Sequence, residues 1–402
     1  MQLVEQHVIK ENDPRFEPID QAAFAAKNLY NKANYIIRQS FIHQGEYISY
    51  PTMDQRLQGT DEYQALPAKV SQQVLRSLDK AWQSFFAAMG EWREHPEKFL
   101  GRPRLPGYKD KQKGRYLLVY TTQAISKKAL KRGVVKFSKL PVKVQTKQRD
   151  IDQVRIVSRK GFYCVEVVYT VEPEPNEDLD PALVAGVDVG VNILGSVTSN
   201  KPGFVPVLAN GRPLKSINQF YNKAKAKAQQ LLIDGQRTSQ RIERLSRRRN
   251  RRIKHYLHVA SRRIIDLLVG EGIGTLVIGK NANWKQGSNL GRRNNQQFVG
   301  IPHAQFVDML TYKAQLAGLQ VILIEEGYTS KVSFLDLEPV EKRTVYAGKR
   351  IKRGLFRASD GRLIHADVNA SFNIIRKAIP DAFANGIEDV VVRPLGYMPI
   401  NG

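Results

Sequence analysis

An acidic, proline-bearing stretch, residues 172–181 (EPEPNEDLDP), divides the chain into two parts whose hydrophobic patterns differ. Its composition is typical of a linker, because it offers few apolar side chains to bury. Before it, apolar residues recur first at helical spacing and then in short alternating runs; after it, apolar strands alternate with long basic helices. The sequence therefore predicts an α/β multidomain protein rather than one uniform layer.

The amino-terminal part combines helical and strand patterns. Residues 1–10 alternate apolar and polar side chains and predict a strand, whereas residues 20–40 and 67–93 carry apolar residues at three- and four-residue spacing and predict packed helices. The segment 101–115 (GRPRLPGYKDKQKGR) breaks the helical pattern and marks a boundary. Residues 116–171 predict five or six short strands of a small barrel, with the strand at 1–10 as a candidate to close it.

The carboxyl-terminal part has mixed alternation. From Ala182 the order is strand, strand, strand, long basic helices, strand, helix, strand, an irregular hairpin-like insert and a last helix. This order predicts an α/β layer fold.

The charge balance indicates a polyanionic partner. The chain has 63 Lys and Arg against 38 Asp and Glu, a net charge of +25, which favours phosphate contacts and salt-sensitive binding. The alternative is a ribosome-associated or merely basic protein. Cys164 is the only cysteine, which excludes disulfides and thiolate zinc sites within the chain and fits a reducing compartment. No apolar run approaches the roughly 20 residues that span a bilayer, so we expect a cytoplasmic protein with no membrane partner.

A carboxylate inside an apolar strand is the first candidate for chemistry. The segment 183–199 (LVAGVDVGVNILGSVTS) carries Asp188 within such a strand, where an unpaired charge is costly. A Mg²⁺ ion would remove that cost, since it prefers carboxylate oxygens and keeps positions for phosphate and water. Gly190 would let a phosphate backbone come close. The alternative is an ordinary turn or salt-bridge aspartate.

Two further segments supply acids. Asp367 lies at the predicted start of a helix in 365–379 (HADVNASFNIIRKAI), where it could equally be an N-cap without any metal. An apolar strand in 318–331 ends in Glu325 and Glu326, and side-chain alternation lets only one of them face Asp188. Phosphodiester hydrolysis by two ions requires several such carboxylates.

Four motifs occur in a family-like order and spacing: GVDVGVN, an Arg-rich run before TLVIGKN, EEGYTSK and ADVNASFNI. With them the chain resembles the TnpB (OrfB) proteins of small bacterial transposons, relatives of type V CRISPR effectors and of Fanzor proteins. The resemblance implies a wedge-like β-barrel (1–12 and 101–175), a helical recognition domain (13–100) that interrupts it, and a RuvC-like nuclease domain of RNase H fold (182–402). A zinc-ribbon-like insert would occupy 328–363.

The resemblance makes Asp188 the first and Asp367 the last RuvC carboxylate. The middle glutamate is absent from its usual strand end, where Gly279 and Lys280 stand instead. Some relatives carry it on the next strand, before YTSK, which makes Glu326 the first choice here and Glu325 the alternative. The paired zinc-ribbon cysteines are also missing, so we expect an insert without structural zinc.

The function implied by the resemblance is guided DNA cleavage. A guide RNA from the transposon end would direct hydrolysis of double-stranded target DNA with Mg²⁺ or Mn²⁺, in a bacterial protein that is nucleoid-associated when bound to DNA. The alternatives are a nuclease-dead, RNA-guided DNA-binding protein and a DNA-joining transposase.

Basic residues in three places are candidate nucleic-acid contacts. Residues 237–263 carry eleven Lys or Arg and one acid, and a solvated charged face is the alternative reading. By resemblance, one amino-terminal helix meets a short DNA motif beside the target; surface residues are the alternative there. The loop at 101–115 could grip a backbone. The candidates are Arg247, Arg248, Arg249, Arg251 and Arg252, then Lys69, Gln72 and Gln73, and then Arg102 and Arg104.

Overall fold

The computed structural model describes residues 1–233, 235–280, 296 and 299–397. The chain separates into two compact units, Met1–Glu172 and Pro173–Gly402, and the acidic stretch contains the boundary. No helix within the described ranges has the length and apolar character needed to cross a membrane.

The first unit contains the two long helices that apolar spacing predicted. Its helices are α1 (Phe16–Gln44), α2 (Tyr50–Leu57), α3 (Asp61–Gln64), α4 (Ala68–Glu94) and α5 (Lys127–Lys131). Its strands are β1 (Gln2–Lys10), β2 (Leu118–Thr121), β3 (Val134–Lys136), β4 (Lys143–Gln145), β5 (Gln153–Arg159) and β6 (Phe162–Thr170). Pro67 stands at the N-cap of α4, where its missing N–H breaks no helical hydrogen bond.

The strands of this unit do not close into the expected barrel. They pair antiparallel as an open sheet in the order β1-β6-β5-β2, while β3 and β4 form a separate hairpin. Leu29 of α1 and Trp82 of α4 share one buried core with Tyr120 and Val165 of the sheet. Because helices cover the apolar face of the sheet, its strands need not curl round to cover it themselves.

The second unit follows the order predicted from Ala182 onward. Its helices are α6 (Arg212–Gln229), α7 (Gln240–Gly270), α8 (His303–Leu316) and α9 (Ala366–Ala378). Its strands are β7 (Asp180–Asp188), β8 (Ile193–Ser199), β9 (Val207–Asn210), β10 (Ile273–Gly279), β11 (Gln320–Ile324), β12 (Lys349–Lys352), β13 (Leu355–Arg357), β14 (Leu363–Ile364) and β15 (Leu395–Tyr397). The pattern did not predict β15, which is only three residues long.

A mixed sheet in the order β11-β10-β7-β8-β9-β15 forms the centre of the second unit. Strand β10 is parallel to both β7 and β11, whereas β7, β8 and β9 are joined antiparallel. One buried core contains side chains of α7 and α8, and a second contains side chains of α9. Each core includes alternate residues of the central strands, as expected for a sheet covered on both faces.

Helix α9 is held against the sheet by one serine. The hydroxyl of Ser371 lies 2.9 Å from the carbonyl oxygens of Gly186 and Ser196 and also 2.9 Å from the hydroxyl of Thr198. A Cβ at Gly186 would come within 2.5 Å of the Ser371 carbonyl oxygen. The glycine therefore permits a helix-to-strand approach that any side chain would prevent.

The insert between β11 and α9 is joined to the helix by two buried asparagines. Asn369 accepts the Phe334 N–H at 2.9 Å and donates to the Val332 carbonyl at 2.8 Å, and Asn373 donates to the same carbonyl at 2.8 Å. The ring of Phe334 stacks on Phe372 with a centroid separation of 4.2 Å. These contacts anchor the start of a segment that contains no cysteine.

Removing the Asn369 amide tests this anchor. We expect Asn369→Ala to lower the free energy of unfolding by about 1–3 kcal/mol, because the buried Phe334 N–H loses its acceptor, whereas the Val332 carbonyl keeps its bond from Asn373. Urea denaturation of the full chain measures the change. The control is Asn385→Ala at an exposed position, and equal stability of the two variants would contradict the role of Asn369.

Candidate active site

Two adjacent strands end side by side beneath α9. Gly186 faces the helix, so the alternation of a strand directs Asp188 to the same face. Val187 pairs with Ile278 in the parallel ladder, which places the next residue of β10, Gly279, beside Asp188. This is the strand end at which the expected glutamate is missing.

Glu326 fills the space above that glycine. A Cβ at Gly279 would lie 2.5 Å from the Cγ of Glu326, with the Oε1 atom nearer still. Ile322 and Ile324 pack against the α9 core, so Glu326 continues the same face, whereas Glu325 is exposed. Of the two glutamates left open by the sequence, Glu326 is therefore the one that lies beside the empty strand end.

The turn after Glu326 is fixed by α9. The hydroxyl of Thr329 donates to the Glu326 carbonyl at 2.9 Å, and the Asn373 amide donates to the Thr329 carbonyl at 3.0 Å. One turn further along the helix, Lys377 donates to the Gly327 carbonyl at 3.1 Å. The YTS segment thus positions the glutamate through backbone contacts.

Asp367 is not the N-cap of α9, contrary to the structural alternative. The cap is His365, whose Nδ1 accepts the Asp367 N–H at 3.2 Å, so Asp367 lies in the first turn. Its Oδ1 lies 3.4 Å from Nη2 of Arg350 on β12. The sequence analysis did not single out Arg350. Its only sign in the sequence is the basic segment KRIK, which forms β12 and lies shortly before Asp367.

The three acids are close enough to influence one another. Burial raises the pKa of Asp188 well above its usual range, the negative charges of Glu326 and Asp367 raise it further, and Arg350 opposes them. Burial alone raises the pKa of Glu326 to about 7. Both Asp188 and Glu326 keep part of their surface exposed, so the carboxyl groups are desolvated yet reachable.

The donor set fits a hard divalent cation. Such an ion prefers carboxylate oxygens and would offset the cost of ionising Asp188 and Glu326 next to each other. Within the described part of the chain, no three His, Cys, Asp or Glu side chains are already arranged as a metal-binding group. Asp367 instead contacts Arg350. Ligation by all three acids would therefore require Asp367 to exchange that partner.

The turn between β7 and β8 by itself requires a glycine at position 190. A Cβ there would lie 2.8 Å from the Ile193 carbonyl oxygen, in the connection between β7 and β8. The expected close approach of a phosphate backbone is therefore not needed to explain this glycine. The physical reason is a tight β-hairpin connection.

The amino-terminal candidates lie on α4 and on the loop that follows it. Lys69, Arg102 and Arg104 are exposed, whereas Gln72 and Gln73 are half-buried. Side chains of α1 hold the loop by its carbonyl oxygens; they include Lys27, Tyr30, Asn31, Asn34 and Arg38. With its carbonyls occupied, the loop presents its cationic side chains to solvent.

Among the five candidate arginines on α7, one differs from the other four. Arg248, Arg251 and Arg252 are exposed and Arg247 is half-buried. Arg249 instead donates from Nε to Asn218 Oδ1 at 2.8 Å, and from its Nη atoms to the Gly300 carbonyl at 2.5 Å and to Asn250 Oδ1 at 2.9 Å.

Arg249 therefore differs from the other four candidates. Its guanidinium joins α6, α7 and the segment at Gly300 through three of its five N–H groups. Its contact with phosphate stays a prediction.

Two family models match parts of the chain from residue 164 onward. OrfB_IS605, described as a probable transposase, matches residues 164–285, and the Cas12f1-like TNB domain matches residues 303–374. The TnpB-like protein ORF457 of Acidianus two-tailed virus is 23% identical over 92% of this chain and 84% of its own length. The chain is therefore similar to TnpB-like and Cas12f1-like proteins.

Other similar proteins are described as nucleases. The CRISPR-associated endodeoxyribonuclease Cas12f1 of Sulfoacidibacillus thermotolerans is 25% identical over 57% of this chain and 54% of its own length. The fold resembles that in the Cas12f1–sgRNA–target DNA complex, with a TM-score of 0.53 at 16% identity over 88% of this chain and 81% of that one. The mini-RNA-guided endonuclease Cas_phi3 gives 0.50 at 10% identity, over 94% and 92%.

Thermal unfolding as a function of pH tests the buried glutamate. The folded protein keeps the Glu326 proton up to about pH 7, whereas its ordinary pKa is 4.5, so stability falls as pH rises between these values. Without divalent ions, we expect Glu326→Gln to have a higher Tm than the wild type at pH 8.

Added Mg²⁺ supplies the second half of this test. It should raise the wild-type Tm through binding to the folded state and leave Glu326→Gln nearly unchanged. Glu325→Gln is the control. Equal Mg²⁺ responses of all three proteins would show that Glu326 takes no part in ion binding.

The two kinds of α7 arginine predict opposite phenotypes. Arg249→Ala should lower the Tm, since the buried Asn218 side chain and the half-buried Gly300 carbonyl lose a charged donor. Arg248→Ala should keep the Tm and lower affinity for single-stranded RNA, with a flatter salt dependence because a phosphate contact is lost. Calorimetry and fluorescence anisotropy at several salt concentrations measure both, and a Tm loss confined to Arg248→Ala would reverse the assignment.

Proposed function

We propose that this protein is a TnpB-type, RNA-guided DNA endonuclease of RuvC type. The observation that carries the proposal is the position of the Glu326 carboxyl group, in the space above Gly279 and beside Asp188. No glutamate stands at the end of β10, yet the Glu326 side chain reaches that position from the end of β11. A buried acid placed in this way is costly to keep unless it has a function.

Asp188, Glu326 and Asp367 would hold Mg²⁺ or Mn²⁺. The ions would activate a water and stabilise the leaving oxygen of a phosphodiester. Asp188 and Glu326 provide a desolvated anionic site, and the hydrogen bonds of α9 keep both in place. Arg350 balances the charge of Asp367 when no ion is bound. We propose no structural zinc, because the insert has no cysteine ligands.

RNA and DNA are the proposed partners. The relatives of similar fold include a complex with guide RNA and target DNA, and the net charge of +25 suits two polyanions. We further propose that the guide derives from the transposon end and that the bacterial protein is nucleoid-associated on DNA. Lys69, Gln72 and Gln73 would contact target DNA.

The domain functions are part of the same proposal. Residues 13–100 would form the recognition domain, residues 1–12 and 101–175 the wedge-like domain, and residues 182–402 the nuclease domain. The insert at 328–363 would stand where relatives carry a zinc ribbon.

A guided DNA-binding protein without cleavage is the second candidate. The observation in its favour is the ion pair of Arg350 with Asp367, because a cation already at this carboxylate competes with a metal ion. A DNA-joining transposase agrees with the description of one matching family and would yield joined rather than cut strands.

Cleavage of a matched target distinguishes these functions. The protein is purified with its bound RNA, the RNA is sequenced, and a plasmid that carries the complementary site is incubated with Mg²⁺. We expect cutting by the wild type and by Glu325→Gln. Asp188→Asn and Glu326→Gln should be slower by at least about a hundredfold, the loss typical when a charge-stabilising group is removed.

Moving the glutamate from position 326 to position 279 provides a second test of the site. Gly279→Glu alone should inactivate, because its side chain collides with Glu326, whereas the double variant Gly279→Glu/Glu326→Gly should recover part of the activity. Full activity in Asp188→Asn would refute the proposed site. Target binding without cutting in the wild type would favour the guided binder.

A further inference from the structure

A small cavity of the first unit lies outside every residue considered so far. Its volume is about 180 Å³, and it is bounded by the turn at Thr122, by α5 and by residues 149–151. Ile125, Leu130 and Ile151 give it a mainly apolar floor. Pockets for drug-sized molecules are larger, about 300–1,000 Å³, so this volume suits a single ring system.

Three cations stand at its rim. Lys127 and Lys131 lie one turn apart on α5 and both line the cavity. They are exposed, and neither has a carboxylate partner among the ion pairs of the described residues. Arg149 is the third, and its Nη1 donates to the Thr146 carbonyl at 3.1 Å.

A glycine makes room for the arginine. Gly133 has a φ of +78°, which favours glycine, and a Cβ there would lie 2.7 Å from Nη1 of Arg149. The backbone at Gly133 therefore leaves space for the Arg149 guanidinium beside the apolar floor of the cavity. An apolar floor with cations on one side matches the two parts of a nucleotide, a base and its phosphate.

We propose that this cavity, the α5 pocket, takes one unstacked base of a single-stranded RNA, with the neighbouring phosphate on Lys127, Lys131 and Arg149. The presence of RNA rests on the proposed function. RNA is favoured over duplex DNA because its single-stranded loops and ends present bases that are free to turn outward.

An acid at the rim selects among bases. Asp150 also lines the α5 pocket, and an ionised carboxylate only accepts hydrogen bonds. Bases with an exocyclic amine, such as cytosine and adenine, offer two N–H donors at the outer edge of the ring, whereas uracil offers only its ring N3–H. The α5 pocket therefore prefers an amine-bearing base.

Two neighbouring exposed residues give a matched pair of variants. Thr122 lines the α5 pocket and Gln123 does not, and both are exposed, so Thr122→Arg and Gln123→Arg each add one positive charge without opening the core. Only Thr122→Arg places a long side chain in the cavity. A binding mode governed by charge alone predicts tighter binding for both, whereas base insertion predicts weaker binding for Thr122→Arg.

The probes are fluorescein-labelled oligo(rC), oligo(rU) and oligo(dC) of about six nucleotides, a length within one single-strand site. Anisotropy is measured on the full chain with EDTA at about 0.3 M salt, where long-range attraction is screened. We expect oligo(rC) to bind more tightly than oligo(rU). Thr122→Arg should weaken oligo(rC) by about tenfold, the order of one base contact, and Gln123→Arg should not weaken it.

Asp150→Asn should remove the preference for oligo(rC), and calorimetry should show wild-type Tm values for all variants. Equal affinities of Thr122→Arg and Gln123→Arg would overturn the α5 pocket. If Thr122→Arg weakened the binding of oligo(dC) as much as that of oligo(rC), the α5 pocket would be a site for single-stranded nucleic acid of either kind. That result would overturn the RNA assignment. Because no divalent ion is present, failure here is separate from failure of the cleavage assay.

Discussion

The hydrogen bonds from α9 to the surrounding backbone are the contacts on which the site depends. Ser371 reaches the carbonyls beneath the helix, and Asn373 and Lys377 reach the turn that follows Glu326. The same helix carries Asp367 in its first turn. Buried backbone groups need partners, so one short helix fixes the strand of the first acid, the turn of the second and its own acid together.

The contact between Gly279 and Glu326 shows how a side chain from the end of one strand can occupy the space left empty at the end of the next. The two residues stand on adjacent parallel strands, and the volume vacated at one is occupied from the other. The electrostatic interaction between two acids depends on their distance in space and not on their separation in sequence. The result is an acid with a pKa of about 7 beside a second buried acid, Asp188. When both acids of such a pair are ionised at neutral pH, their repulsion lowers the stability of the fold. The same negative charge would attract a cation.

Local sequence patterns predicted most of the helices and strands. They also reduced the candidates for the middle carboxylate to Glu325 and Glu326. Helical spacing located α1 and α4, and strand alternation showed that only one of Glu325 and Glu326 could face Asp188. What they did not predict depends on contacts between distant segments. The open sheet depends on helices packing over it, and the hydrogen bonds of Arg249 depend on acceptors from α6 and Gly300. No periodicity encodes such partners.

A buried glutamate holds the insert together by hydrogen bonds. Glu338 accepts the N–H groups of Ser333 and Ala347, both at 3.0 Å, and so joins two parts of the segment. Arg350 pairs with Phe356, which is buried, in the β12–β13 ladder, and from there its guanidinium meets Asp367. Because this placement depends on side-chain packing and not on thiolates, the charge beside the third acid is set by the fold of the insert itself. A change in the packing of the insert would therefore reach the carboxylates through Arg350.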